Sequence, residues 1–154
     1  MRLWASICLF SMYMPQSGNV QQVAGIAVRL VYFDSGKPAD NQQIILYEGD
    51  PSKASTVRTK QSTDRDGIAK FHFSEHLPEQ VWVDDNNGRI RNCAWEDQVP
   101  LQEILATGVT IGVGGRFGSS CKGSQDTVTR LGAKPGEIVI FVRKVSAWDN
   151  LRHY

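Results

Sequence analysis

Residues 56–73 read TVRTKQSTDRDGIAKFHF. Thr56 to Thr63 sets β-branched residues among polar ones, the pattern of an exposed edge strand. Asp64-Arg65-Asp66-Gly67 has the composition of a hairpin turn, with Gly67 able to take a positive φ. Beyond the turn Ala69, Phe71 and Phe73 share one face while Lys70 and His72 share the other, the period of two of a half-buried strand. Strand, glycine turn and strand within eighteen residues make antiparallel β the class to follow through the rest of the chain.

The same signals continue on both sides. Ile26, Val28, Leu30 and Tyr32 alternate with Ala27, Arg29, Val31 and Phe33, and Asp34-Ser35-Gly36-Lys37-Pro38 then turns the chain. Gln43 to Tyr47 reads as a second strand. Gln80 to Asp84 and Arg89 to Trp95 flank Asp85-Asn86-Asn87-Gly88, a second hairpin signal. Pro100 to Thr107 is the one helical candidate: Leu101, Ile104 and Leu105 fall at helical spacing and Gly108 suits the C-terminal cap. Strand signals return at Val109 to Val113, before the glycine- and serine-rich stretch Gly114 to Gly123. Lys134-Pro135-Gly136-Glu137 fits a type II turn. It feeds Ile138 to Val142 (IVIFV), apolar on both faces and therefore a central, covered strand. In the tail, Trp148, Leu151 and Tyr154 are spaced for an amphipathic turn or two. The expected fold is all-β: an antiparallel sandwich of seven to eight strands with one short helix, in a single domain over 23–154.

The chain has 154 residues, 17 basic and 16 acidic. A charge so near neutral gives no basic face for nucleic acid and no acidic solvating tail. Residues 1–22 stand apart. Met1-Arg2 is a short positive start, Leu3 to Met14 is apolar or aromatic except at Ser6 and Ser11, and Pro15 to Asn19 turns polar. That order is the order of a secretory signal peptide, and an apolar core of about a dozen residues falls short of the roughly 20 needed to span a bilayer. Removal of 1–22 takes Arg2 with it, so both charge counts stand at 16. The expected destination is periplasmic or extracellular, with no stable membrane span after leader removal. Cys8 leaves with the leader, and Cys93 and Cys121 remain as an even pair in an oxidising compartment. A disulfide between them is the expectation; two reduced thiols, one of them catalytic, is the alternative.

Several stretches resemble the carboxypeptidase regulatory-like domains, small seven-stranded sandwiches related to the transthyretin (prealbumin-like) fold. They are Gly25-Ile26-Ala27-Val28, Gly36-Lys37-Pro38-Ala39, Ile44-Ile45-Leu46-Tyr47 and Thr63-Asp64-Arg65-Asp66-Gly67. The likeness runs from about Val23 to Asp85, with Ala69 where the family usually carries an aromatic. The second half is similar to short exported bacterial proteins without an assigned activity, through Pro100 to Gly108, Cys121 and Lys134 to Arg143. That likeness is compatible with the Cys93–Cys121 pair and implies no chemistry.

Transthyretin-like folds include the hydroxyisourate hydrolase, marked by an early His and a C-terminal Tyr-Arg-Gly-Ser; this chain ends Leu151-Arg152-His153-Tyr154 and has no His in its first strand. Intradiol dioxygenases place two Tyr and two His on iron, but His72 lies on the Lys70 face of a strand and His76 in the following loop, so exposed histidines are the simpler reading of Tyr32, Tyr47, His72 and His76. Asp64-x-Asp66-Gly67 and Asp84 to Gly88 are oxygen-rich. Neither completes a calcium loop of the EF-hand type: position six from Asp64 is Ala69, and position twelve from Asp84 is Trp95. Gly112 to Gly118 lacks the Lys-Ser/Thr of a phosphate loop. No catalytic, cofactor or metal residue is assigned. Trp82, Trp95 and Trp148 are the remaining lead, since together on a surface they would stack a sugar or dock a protein. The expected function is therefore a non-catalytic exported module that binds a protein or carbohydrate partner or serves as a structural accessory. The alternatives are a small hydrolase or metal-dependent enzyme built from His72, His76, Asp84 and Asp85 on the loops, and a dimeric carrier of a hydrophobic ligand.

Overall fold

The structure is a computed structural model that describes residues 25–73, 76–85, 89–93, 98–112, 121 and 125–146. The leader-like segment, Trp95, most of the glycine-rich stretch and the tail with Trp148 lie outside the described residues. Within them the order is β1 (Gly25–Tyr32), β2 (Gln43–Glu48), β3 (Val57–Ser62), β4 (Ile68–His72), β5 (Gln80–Asp84), β6 (Ile90–Asn92), β7 (Gln98–Pro100), α1 (Leu101–Ala106), β8 (Val109–Ile111), α2 (Gln125–Leu131) and β9 (Glu137–Lys144).

The strands form two sheets. The larger runs β4-β1-β9-β6, with β8 also paired to β9; the smaller runs β3-β2-β5-β7. Their inner faces share one hydrophobic cluster. Ile26, Val28 and Leu30 of β1, Phe71 of β4 and Ile138 and Ile140 of β9 face Ile44 and Leu46 of β2 and Val81 and Val83 of β5, and Leu101 and Ile104 of α1 join them. Ile26, Val28 and Leu30 of β1, Ile44 and Leu46 of β2 and Val81 and Val83 of β5 are buried at alternate positions, so period-two patterning translates directly into the packed face.

The outer face of the larger sheet is covered as well. Val31, Phe33, Val139 and Phe141 are buried there beneath Cys121 and the Val128, Leu131 and Ala133 of the α2 region, with the Phe33 and Phe141 rings 5.1 Å apart. This second cluster explains why IVIFV is apolar on both faces: β9 lies between two cores, with Ile138 through Val142 fully buried.

The sheets depart from the antiparallel expectation. β9 runs parallel to β1 (Val28 opposite Ile138, Leu30 opposite Ile140) and to β8 (Val109 opposite Ile138), so the larger sheet is mixed. A strand that must be covered on both sides takes a central position between β1 and β8, and here the chain direction into that slot is parallel. Neither expected hairpin closes a ladder either. Asp64–Gly67 is a tight turn, with the Asp64 amide donating to the Ile68 carbonyl at 2.9 Å, but β3 belongs to the smaller sheet and β4 to the larger. Likewise β5 pairs β2 and β7 while β6 pairs β9. The first segment is a corner that carries the chain from one sheet to the other, and the chain changes sheet again between β5 and β6. Among the described residues there are two helices rather than one. Pro100 closes β7 in an extended conformation and precedes α1 as its N-cap instead of opening its first turn.

The corner at Thr63 is held by buried polar bonds. The Thr63 hydroxyl donates to the Ala39 carbonyl at 2.8 Å and accepts the Gln42 amide at 2.9 Å, and the Thr63 amide donates to the Gln42 carbonyl. Each satisfies a main-chain group that the sheet ladders leave over.

One charged device ties α2 to the larger sheet. Arg29 on the outer face of β1 grips Glu137 with two parallel bonds, Nε to Oε1 at 2.8 Å and Nη2 to Oε2 at 3.1 Å. Its Nη2 also donates to the Leu131 carbonyl at the end of α2 (3.2 Å), while Glu137 Oε2 accepts the Lys134 amide (3.1 Å). Removing one member of a fully buried pair costs about 3–5 kcal/mol. With side chains still 19% and 13% exposed, water reduces this, and Arg29→Met should lower stability in urea by about 2 kcal/mol. Arg29→Lys keeps the charge but not the fork and should recover only part of the loss. Equal stability of Arg29→Met and the natural chain would show that the grip contributes nothing.

Candidate functional site

The outer face of the smaller sheet has no second layer among the described residues. Register defines it row by row. Arg58 of β3 stands opposite Tyr47 of β2, Tyr47 opposite Trp82 of β5, and Trp82 opposite Gln98 of β7. The next row is Lys60, Ile45 and Asp84; Gln43 on one side and Gln80 on the other extend the face. Strands lie about 4.8 Å apart, so the first row crosses roughly 14 Å of sheet. These side chains point outward because their neighbours Ile44, Leu46, Val81 and Val83 are committed to the core.

Exposure is graded across the face. Ile45, Tyr47 and Trp82 are half-buried, whereas Gln43, Arg58, Lys60 and Gln98 are exposed. Among the described residues neither Arg58 nor Lys60 has a carboxylate partner. At the end of β2, burial raises the pKa of Glu48 above the usual carboxylate value. Asp50, in the loop beyond, is lowered by the hydroxyl and amide of Ser52. The arrangement offers two aromatic surfaces fixed by the sheet, amides able to donate and accept, and two cations along one edge. It suits binding an amphipathic ligand.

The other residues singled out in the sequence are not brought together in this way. His72 is exposed on the outer side of β4, opposite Gly25 at an edge of the larger sheet, while Asp84 is on the outer side of the smaller sheet, so the core lies between them. His76 is exposed in the β4–β5 connection, and Asp85 is buried at the end of β5. Tyr32 lies at the far end of β1 from Gly25, the residue opposite His72, and Tyr47 is on the outer face of the smaller sheet, so neither shares a site with His72. The Tyr32 hydroxyl is raised in pKa by burial and then by Asp40 and Asp34, with the Lys144 ammonium 5.2 Å from its ring centre. Asp64 Oδ1 accepts the amides of Asp66 and Ile68, both at 2.9 Å, so this carboxylate serves the turn itself. Among the described residues no three of His, Cys, Asp and Glu cluster as metal ligands.

Cys93 and Cys121 form a disulfide, with Cα atoms 5.2 Å apart, consistent with an oxidising environment. Among the described residues no helix is long and apolar enough to cross a membrane. Trp95 and Trp148 lie outside the described residues, as do 113–120 of the glycine-rich stretch and 86–88 of the acidic turn. Of the three tryptophans only Trp82 is placed, and it is placed outward. Tyr47, Arg58, Lys60 and Gln98 were missed as its companions; the alternation within β2, β3 and β5 gives each its face, but only the register between strands makes them neighbours.

No family model and no curated protein matches this chain. Among solved structures, a 9R-lipoxygenase from Cyanothece is similar over 56% of this chain and 13% of its own, at 18% identity and a TM-score of 0.31, too low for any argument about fold or function.

Proposed function

We propose that this protein is an exported, non-catalytic module of the transthyretin-like sandwich class that binds a protein or carbohydrate partner through the outer face of its smaller sheet. The observation that carries the reading is the Tyr47–Trp82 pair, set opposite each other on adjacent strands and half-open to solvent. Two large aromatics at one register position, open on the outer side, present an apolar surface with polar edges that a partner can cover. Export is supported by the leader-like residues 1–22 and by the disulfide. The transthyretin-like assignment rests on the motif stretches around β1, β2 and the Asp64 turn; the parallel β1–β9 pair is a departure from it.

The test is binding of purified protein to a polysaccharide panel by affinity electrophoresis, with photo-crosslinking from the face to trap a protein partner. Trp82→Ala should weaken the binding found by more than tenfold without changing the unfolding midpoint by much, since the side chain lies outside the core. Unaltered binding by Trp82→Ala would move the functional surface elsewhere, and turnover of any panel member would refute the non-catalytic reading.

A further inference from the structure

The geometry points to an acidic polysaccharide, a sugar chain bearing carboxylate or sulfate groups, as the occupant of this face; the inference rests on the binding role proposed above and narrows it. Three observations converge. The first is the amount of apolar surface. A stable protein interface buries about 800 Å² on each side around a desolvated apolar centre. Here the outer face offers Ile45, Tyr47 and Trp82, all already half-buried, amid glutamines and charges. Among the described residues the large apolar side chains that are well exposed, Val57 (56%) and Leu77 (50%), lie elsewhere, Val57 at the start of β3 and Leu77 in the β4–β5 connection. Two aromatic surfaces with a polar surround match a sugar ring, which has an apolar face and a hydroxylated rim.

The second observation is the hydrogen-bonding set. Gln80 and Gln98 edge the aromatic pair, with Gln43 further along β2, and a primary amide both donates and accepts, as a hydroxyl-rich ligand requires. The third is charge. Arg58 is opposite Tyr47 and Lys60 opposite Ile45, two residues apart on one strand and so about 7 Å from each other. Neither is neutralised among the described residues. Asp84, also on this face, is two strands away. The face is thus positive along β3, which would set the acidic groups of a sugar chain over β3 and its ring faces over Tyr47 and Trp82. A neutral glycan would leave both cations to water. The Arg58 fork suits a planar carboxylate or a sulfate, and the Lys60 ammonium acts as a point charge beside it.

Affinity electrophoresis and calorimetry with the full chain test this, using polygalacturonate, chondroitin sulfate, a neutral galactan and poly-glutamate as probes. At least one acidic polysaccharide should bind tenfold or more tighter than the galactan, and its affinity should fall between low salt and about 0.5 M salt. Arg58→Gln and Lys60→Gln should each weaken it by about fivefold, and Trp82→Ala by more than tenfold. Lys37→Gln, an exposed cation in the turn after β1, should change nothing; thermal melts confirm that each variant is folded. Preference between polygalacturonate and chondroitin sulfate identifies which acid is read. Galactan binding equal to that of the acidic chains, insensitive to Arg58→Gln, would overturn the inference while leaving the binding face intact. Poly-glutamate binding equal to polygalacturonate would also overturn it, in favour of an acidic peptide. Failure of every probe overturns it outright. If Trp82→Ala alters no interaction at all, the binding role of the face falls with it.

Discussion

Replacing both Cys93 and Cys121 by alanine should lower the unfolding free energy by about 3 kcal/mol, the value expected from the chain entropy of a loop of this length. The bridge spans 28 residues of sequence. What it holds can be read from the second hydrophobic cluster. Cys93 is fully buried, its amide donates to the Phe141 carbonyl at 3.0 Å, and Cys121 lies in the same cluster as Val128 and Leu131. The disulfide therefore pins the segment ahead of α2 to the end of β6 and lays the helix over Val31, Phe33, Val139 and Phe141. A seven-residue helix is far too short to persist without such packing. A loss of about 3 kcal/mol corresponds to roughly 10 °C in Tm for a domain of this size. Hydrogen exchange should show α2 losing protection before the two sheets do. Alanine is preferred to serine at position 93 because a hydroxyl there would be buried without water. If the oxidised and reduced chains unfold at the same urea concentration, the layer over the larger sheet is held by its apolar contacts alone. Mass spectrometry of periplasmic protein, alkylated with and without reductant, tests the bond itself: two free thiols would return Cys93 or Cys121 to consideration as a reactive group.

What could be read from the residues, and what could not, divides along the range of the forces involved. The inward faces of β1, β2 and β5 follow from alternation, and IVIFV announces a strand covered on both sides. The polar 56–63 stretch announces an edge, and among the described residues β3 pairs only with β2. Each of these is local: burial of a side chain is decided by its position within the strand. The partner of a strand is not local. Asp64–Gly67 and Asp85–Gly88 carry the chemistry of turns, yet turn chemistry does not say which sheet the departing strand joins. β4 finds its ladder on β1, about 45 residues earlier in the chain (Ile26 opposite Phe71), and β9 finds its own on β1 at a separation of about 110 residues (Val28 opposite Ile138). α2 is not legible in the sequence because QDTVTRL carries only two strongly apolar residues and two β-branched threonines that favour helix poorly. It is helical by virtue of what Val128 and Leu131 cover and of the Arg29 bond to the Leu131 carbonyl. The same division runs through the candidate site. The outward direction of Trp82 is legible from Val81 and Val83 on either side of it. Its pairing with Tyr47 and the cations beyond it depend on the registers of β2 with β5 and β3, which the sequence does not print.

Gly67→Ala should cost about 3 kcal/mol, far more than the turn alone would suggest, because two penalties coincide. The first is conformational: Gly67 has φ +74°, and an alanine in that region loses roughly 1 kcal/mol relative to glycine. The second arises from the sheet behind it. A β-carbon at position 67 would stand 2.6 Å from the Leu30 carbonyl oxygen and 3.1 Å from the Ala39 amide nitrogen. Those two atoms are bonded to each other at 3.0 Å, and the Gly67 carbonyl accepts the Leu30 amide at 2.9 Å. The methyl would therefore wedge against main chain on a central strand that cannot rotate out of its way, and relief would break at least one of these buried bonds. Gly136→Ala isolates the first penalty. Its φ is +80°, but nothing lies within 4 Å of a β-carbon there, so the cost should stay near 1 kcal/mol. Urea unfolding of the two variants separates the contributions. A gap of about 2 kcal/mol means that the corner between the sheets is fixed by the close approach of Gly67 to β1, and that glycine is required there for room as well as for rotation. Equal losses would mean that β1 yields to the methyl group. The sheet change after β3 would then rest on the Thr63 bonds to Ala39 and Gln42, and Thr63→Val would become the more damaging substitution at that corner.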